Sequence, residues 1–85
     1  MTRWLFDLDN TLVKTNGSNY KESTPIPEAI NKVRVYKKRG DHIIIMTARG
    51  ASSKTDWRAF TAKQLDDFGI PYDQLIVGLK PGGID

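Results

Sequence analysis

Three short apolar runs punctuate the chain: Arg3-Trp-Leu-Phe-Asp-Leu8, His42-Ile-Ile-Ile-Met-Thr47 and Gln74-Leu-Ile-Val-Gly78. Their aromatic and β-branched content and nearly continuous apolarity predict buried strands of a parallel sheet. Between the first two, Pro27 suits a first helical turn. Ile26, Ile30, Val33 and Tyr36 or Lys37 line one helical face, and Gly40 supplies the stop. A second helix ends at Gly69. Its start has two readings: Thr61-Ala-Lys-Gln64 matches a capping box, or the helix begins near Thr55. In the longer version Trp57 and Phe60 join Leu65 and Phe68 facing the sheet, as core rather than binding platforms. Asn16-Gly17, within Leu12–Tyr20, is a hairpin signal and predicts a small flap. The order strand, flap, helix, strand, helix, strand predicts one α/β domain over residues 1–85, a three-layer Rossmann-like parallel sheet with right-handed crossovers.

In such sheets ligands bind beyond the carboxyl ends of the strands, so the residues that close each run carry the functional expectation. These are Asp7, Asp9, Thr47 and Lys80. Asp7 and Asp9 are two residues apart, which turns both carboxylates to one side while the chain stays extended. Their repulsion raises the proton affinity of one, giving an anionic nucleophile beside a general acid, a division of labour suited to phosphoryl transfer. A magnesium ion would neutralise charge and orient the phosphate. As a plain turn, Asp9-Asn10-Thr11 accounts for Asp9 but not for Asp7, whose charge inside an apolar strand needs a compensating partner. Thr47 offers a hydroxyl to a phosphate oxygen, or caps the following turn. Arg49 in Thr-Ala-Arg-Gly50 offers a guanidinium to phosphate or the rest of the substrate. Lys80 would offset the charge of Asp7 and the phosphoryl group, against the plainer role of a solvated lysine.

Composition narrows the alternatives. The 85 residues contain no cysteine and a single histidine, His42, at the start of its strand and away from the expected site. Thiol nucleophiles, Ser-His relays and ordinary zinc sites therefore have little support, and the compartment stays open, with the cytoplasm as the default. A calcium loop also fails, because Leu12 stands where the sharp glycine turn belongs and Ser18 where the bidentate glutamate belongs. No apolar run approaches the roughly 18 residues that span a bilayer, so no membrane partner is expected. The net charge of +3 suits an anionic substrate, but basic and acidic residues are interspersed, and Lys37-Lys38-Arg39 falls at a predicted helix end where cations oppose the dipole.

The sequence Asp7-Leu-Asp-Asn-Thr-Leu12, followed by a strand closed by Thr47 and then by Lys80, resembles the haloacid dehalogenase-like superfamily. Pro-Ile-Pro-Glu-Ala-Ile30, Thr-Ala-Arg-Gly50 and Gln-Leu-Asp-Asp-Phe-Gly-Ile70 are similar to its small capless phosphatases. The resemblance implies Asp7 as nucleophile and magnesium ligand, and Asp9 as acid/base with its backbone carbonyl on the metal. It implies Thr47 as phosphate ligand and Lys80 as the neutralising lysine, and Arg49 and Thr11 are further candidate substrate-binding residues. An aspartate in the second position is the phosphatase pattern, so a phosphomonoester hydrolase with an aspartyl-phosphate intermediate is expected, not a dehalogenase. The family's acidic motif after a fourth strand has no counterpart before Asp85, so the expectation is a core that is C-terminally incomplete, with an edge of the first strand exposed and open to oligomerisation. A non-catalytic phosphate-binding or interaction module is the competing reading. Polynucleotide 3′-phosphatases share the capless plan, which sets a nucleic-acid end beside small phosphorylated compounds as substrate.

Overall fold

The computed structural model describes residues 1–51 and 55–78. The first strand, β1 (Arg3–Asp7), leads into a short antiparallel pair, β2 (Val13–Lys14) and β3 (Thr24–Pro25), with a 3-10 turn at Tyr20–Glu22 between them. Helix α1 (Pro27–Lys38), strand β4 (His42–Thr47), helix α2 (Arg58–Asp67) and strand β5 (Gln74–Val77) complete the order. The main sheet is parallel, in the order β1-β4-β5, with Asp7 beside Met46 and Thr47 beside Val77. This is the expected Rossmann-like α/β class, a three-strand parallel sheet flanked by helices.

The linear strand order fixes where the helices go. Two successive right-handed crossovers running in one direction place their helices on the same side. Trp4 and Phe6 of β1 share that side with their β4 neighbours Ile43 and Ile45, and Leu75 of β5 lies beside Ile45. Ile30 and Val33 of α1 and Leu65 of α2 close over these residues as one core. Tyr36 of α1 stacks flat on Trp4, with centroids 4.1 Å apart. Alternate residues point the other way: Leu5 is 61% exposed, and Ile44, Met46 and Ile76 are half-buried. Among the described residues β1 pairs only with β4 in this sheet.

Pro27 stands at the start of α1, and Gly40 takes φ +96° just beyond its end, where a residue with a side chain would be strained. Two expectations change. The capping box at Thr61–Gln64 does not form: α2 starts at Arg58, and Thr61 and Gln64 are buried within it. Both are drawn into tertiary contacts instead, Gln64 Nε2 donating to the Tyr20 carbonyl at 2.8 Å. Trp57 and Phe60 do not join the sheet core either. Trp57 meets both Tyr20 and Phe60 edge to face, at 4.9 and 5.4 Å, so these aromatics seat the flap against α2.

Acidic anchors fasten the amino ends of the strands. Asp41 accepts from Trp4 Nε1 at 2.9 Å, from the Thr2 amide at 3.1 Å and from Arg39 Nη2 at 2.6 Å. Asp73 accepts from the Ile43 amide at 2.8 Å and pairs with Lys37, and His42 Nδ1 stands 4.0 Å from it, in keeping with a structural role for the histidine. Hydrogen bonds from Trp4 and Arg39 hold the Asp41 carboxyl down at about 2, against an ordinary 3.8. A carboxyl lowered by folding stabilises the protein above its unfolded value and loses that contribution as pH falls through the folded one. We therefore expect the urea midpoint to decline progressively from pH 5 towards pH 2, and Asp41→Asn to lower the midpoint at pH 6 while flattening that decline. A wild-type midpoint that is flat across this range would refute the anchor.

Candidate active site

At the carboxyl end of β1 the chain continues alongside β4 for one more residue, the Leu8 amide donating to the Met46 carbonyl at 3.0 Å. It then turns sharply. The Leu8 carbonyl accepts the amides of Thr11, Leu12 and Val13 at 3.3, 2.9 and 3.2 Å, and Asn10 takes φ +63°. Asparagine tolerates that left-handed conformation better than most residues, and its side-chain oxygen accepts the Thr15 amide at 3.1 Å. The turn leaves Asp7 exposed at the strand end and swings Asp9 inward.

Asp9 is the hub of the site. Arg49 Nη2 donates to its Oδ1 at 2.8 Å, and Arg49 Nε lies 3.2 Å from both carboxylate oxygens. Thr15 Oγ1 donates to Oδ1 at 2.8 Å and Thr47 Oγ1 to Oδ2 at 2.9 Å. The Arg49 side chain has 0% exposure, yet it meets polar or aromatic partners throughout. Nη1 donates to Thr61 Oγ1 at 3.2 Å, Nη2 also reaches Ser23 Oγ at 3.4 Å, and the guanidinium carbon sits 4.7 Å from the Tyr20 ring centre. Ser23 and Thr15 hydroxyls meet at 2.6 Å, which closes a ring of polar contacts between Asp9, the flap and Arg49. Gly50 follows with φ +83°, and an added Cβ there would stand 2.6 Å from the Thr55 carbonyl oxygen, so only glycine lets the loop after Arg49 pass.

These surroundings divide the two carboxylates. Partial desolvation at the strand end pushes Asp7 up, an effect that the Leu8 amide opposes and the Asp9 charge adds to. Burial also works to raise Asp9, but hydrogen bonds from Arg49, Thr15 and Thr47, with the Arg49 charge, outweigh it and bring the carboxyl below its ordinary value. The guanidinium is the physical reason, because it makes Asp9 the better-stabilised anion.

The structure thus brings together Asp7, Asp9, Thr47 and Arg49 at the carboxyl end of β1 and β4. Thr11 is exposed on the outside of the turn, and lines a concavity of about 360 Å³ with Phe6, Leu12, Ile26 and residues of α1. Lys80 lies outside the described residues. Sequence reasoning missed Thr15, Ser23 and Thr61. Thr15 and Ser23 stand among polar residues that mark neither of them, and Thr61 has the residue type of a helix cap. Among the described residues no three carboxylates, histidines or cysteines gather as a metal cage.

No family model and no curated protein matches the chain. Among solved structures the fold matches a structural-genomics target from Vibrio cholerae, at 30% sequence identity and a TM-score of 0.82, over 100% of this chain and 76% of that one. It also matches a chain in the Pnkp1/Rnl/Hen1 complex, at 21% identity and a TM-score of 0.74, over 99% of this chain and 30% of that one. At that identity the second likeness is one of fold.

The turn that carries Asp9 can be tested apart from any chemistry. Asn10→Ala removes both the tolerance of positive φ and the acceptor for the Thr15 amide, and should cost about 1–3 kcal/mol in urea unfolding. An unchanged stability would show that the turn does not depend on Asn10.

Proposed function

We propose that the chain, which belongs to the same family as the Vibrio cholerae protein, is a phosphomonoester hydrolase of the haloacid dehalogenase-like type, working through an aspartyl-phosphate on Asp7. The observation that carries the reading is the pairing of an exposed carboxylate at a strand end with a second, half-buried carboxylate two residues on, held by Thr47 and Arg49 at the end of the neighbouring strand. A phosphate-binding module needs cations and amides at such a place, not two acids.

In the proposed reaction an Asp7 carboxylate oxygen attacks phosphorus. The phosphorus–oxygen ester bond breaks, and the leaving oxygen takes a proton from Asp9. Water then attacks phosphorus, gives its proton to Asp9, and displaces the Asp7 oxygen to release phosphate. Arg49 keeps Asp9 ionised in the resting site, which is the form that the base role of the second step requires. The approach of a negatively charged phosphate raises its proton affinity and so favours the acid role of the first.

The oxygen donors fit magnesium, which is usually held by one or two carboxylates together with waters and substrate phosphate oxygens rather than by an all-protein cage. The Asp7 carboxylate and the Asp9 backbone carbonyl would hold it. Bound there, it would neutralise phosphate charge. Because polynucleotide 3′-phosphatases share the capless plan, a 3′-phosphorylated nucleic-acid end is a substrate to try beside small phosphate esters.

Phosphate release from an aryl phosphate and from a 3′-phosphorylated oligonucleotide tests the proposal. Turnover should require magnesium and stop on chelation. Asp7→Asn should lower kcat by on the order of 10³-fold or more. Full activity in that variant, or turnover that is indifferent to the chelator, would sink the proposal.

A further inference from the structure

We infer that Arg49 is a positioning residue for Asp9, not a ligand of the substrate phosphate, and that it ties the flap to that carboxylate. The inference rests on the acid/base role proposed for Asp9. All three guanidinium nitrogens already have protein partners: Nε and Nη2 on Asp9, Nη2 also on Ser23, and Nη1 on Thr61. The side chain is wholly buried, and the Tyr20 ring covers the guanidinium. A phosphate could reach Arg49 only by displacing Asp9, and that would strand the acid/base group. Asp7, by contrast, is exposed.

The same contacts join the flap to the chemistry. Thr15 and Ser23 flank the flap loop, bond each other at 2.6 Å, and reach Asp9 and Arg49 respectively. Lifting the flap removes one donor from Asp9 and one partner from Arg49 together. The lowered flap therefore adds one donor to Asp9 and one partner to Arg49, while the two-point fork of the guanidinium and the Thr47 hydroxyl fix the carboxylate from the other side.

Steady-state kinetics on an aryl phosphate with magnesium, combined with competitive inhibition by inorganic phosphate, separates positioning from binding. Arg49→Met should lower kcat on the order of 10²-fold, with the phosphate inhibition constant within about 3-fold of wild type. Arg49→Lys should not rescue it, because an ammonium cannot form the fork. Thr61→Val, which removes a single contact, should lower kcat several-fold with the inhibition constant again unchanged, and it serves if Arg49→Met fails to fold. A phosphate inhibition constant weakened about 10-fold or more with kcat retained would overturn the inference in favour of a phosphate ligand. Hydrogen exchange reads the flap independently of turnover. The Val13 to Thr15 amides should exchange faster in Arg49→Met or Thr61→Val, and unchanged exchange would overturn the tie. If the wild-type chain releases no phosphate, the hydrolase reading fails, while flap exchange still decides whether Arg49 holds the flap.

Discussion

A guanidinium with no exposed surface must find its acceptors in place, because an unpaired charge in that environment costs several kcal/mol. Arg49 meets this constraint with Asp9, and much of the local structure follows from the pairing. The turn after β1 must curl tightly enough to bring Asp9 inward. Strand β4 must end where Thr47 and Arg49 can meet it, the flap must fold down to supply Thr15 and Ser23, and α2 must present Thr61. Removing Asp9 would leave the buried guanidinium without its carboxylate, whereas removing Arg49 leaves a carboxylate that water can still reach. The pair is therefore better understood as organising the site than as adding stability to it.

The strands are held by carboxylates at both ends, with different consequences. At the amino ends, Asp41 and Asp73 tie backbone amides and cations from neighbouring segments into static junctions. At the carboxyl ends, Asp9 is similarly held, while Asp7 is left facing solvent. One end of the sheet is fastened and the other carries an exposed carboxylate beside a fixed one. The linear strand order adds an asymmetry of faces. Both helices cover the side of Trp4, Phe6, Ile43 and Ile45, while Leu5, Ile44, Met46 and Ile76 line the other.

The strands and the first helix are legible in the chain because burial imposes their patterns directly. Continuous apolar runs mark β1, β4 and β5, and Pro27, Ile30, Val33 and Gly40 mark α1 and its limits. The start of α2 is not legible. Thr61 and Gln64 have the residue types of a capping box, but what a hydroxyl or an amide bonds is decided by partners far along the chain, here Arg49 and the Tyr20 carbonyl. The flap is legible as an element but not in extent. Gly17 takes positive φ as Asn16-Gly17 suggests, whereas the strand pair forms further out, at Val13–Lys14 and Thr24–Pro25. The strand-end positions of Asp7 and Thr47 were readable from the apolar runs they close. That Arg49 faces Asp9 was not, because it depends on a contact across 40 residues of chain.

The central claim is that Asp7 becomes phosphorylated during turnover. Acid quenching of the protein during turnover with excess phosphate ester and magnesium, followed by peptide mass spectrometry, tests it most directly. The account predicts a single phosphoryl group on Asp7, which disappears as substrate is exhausted and is absent from Asp7→Asn. Phosphate released with no protein-bound phosphoryl group at any time, or a phosphoryl group on a different residue, would contradict it.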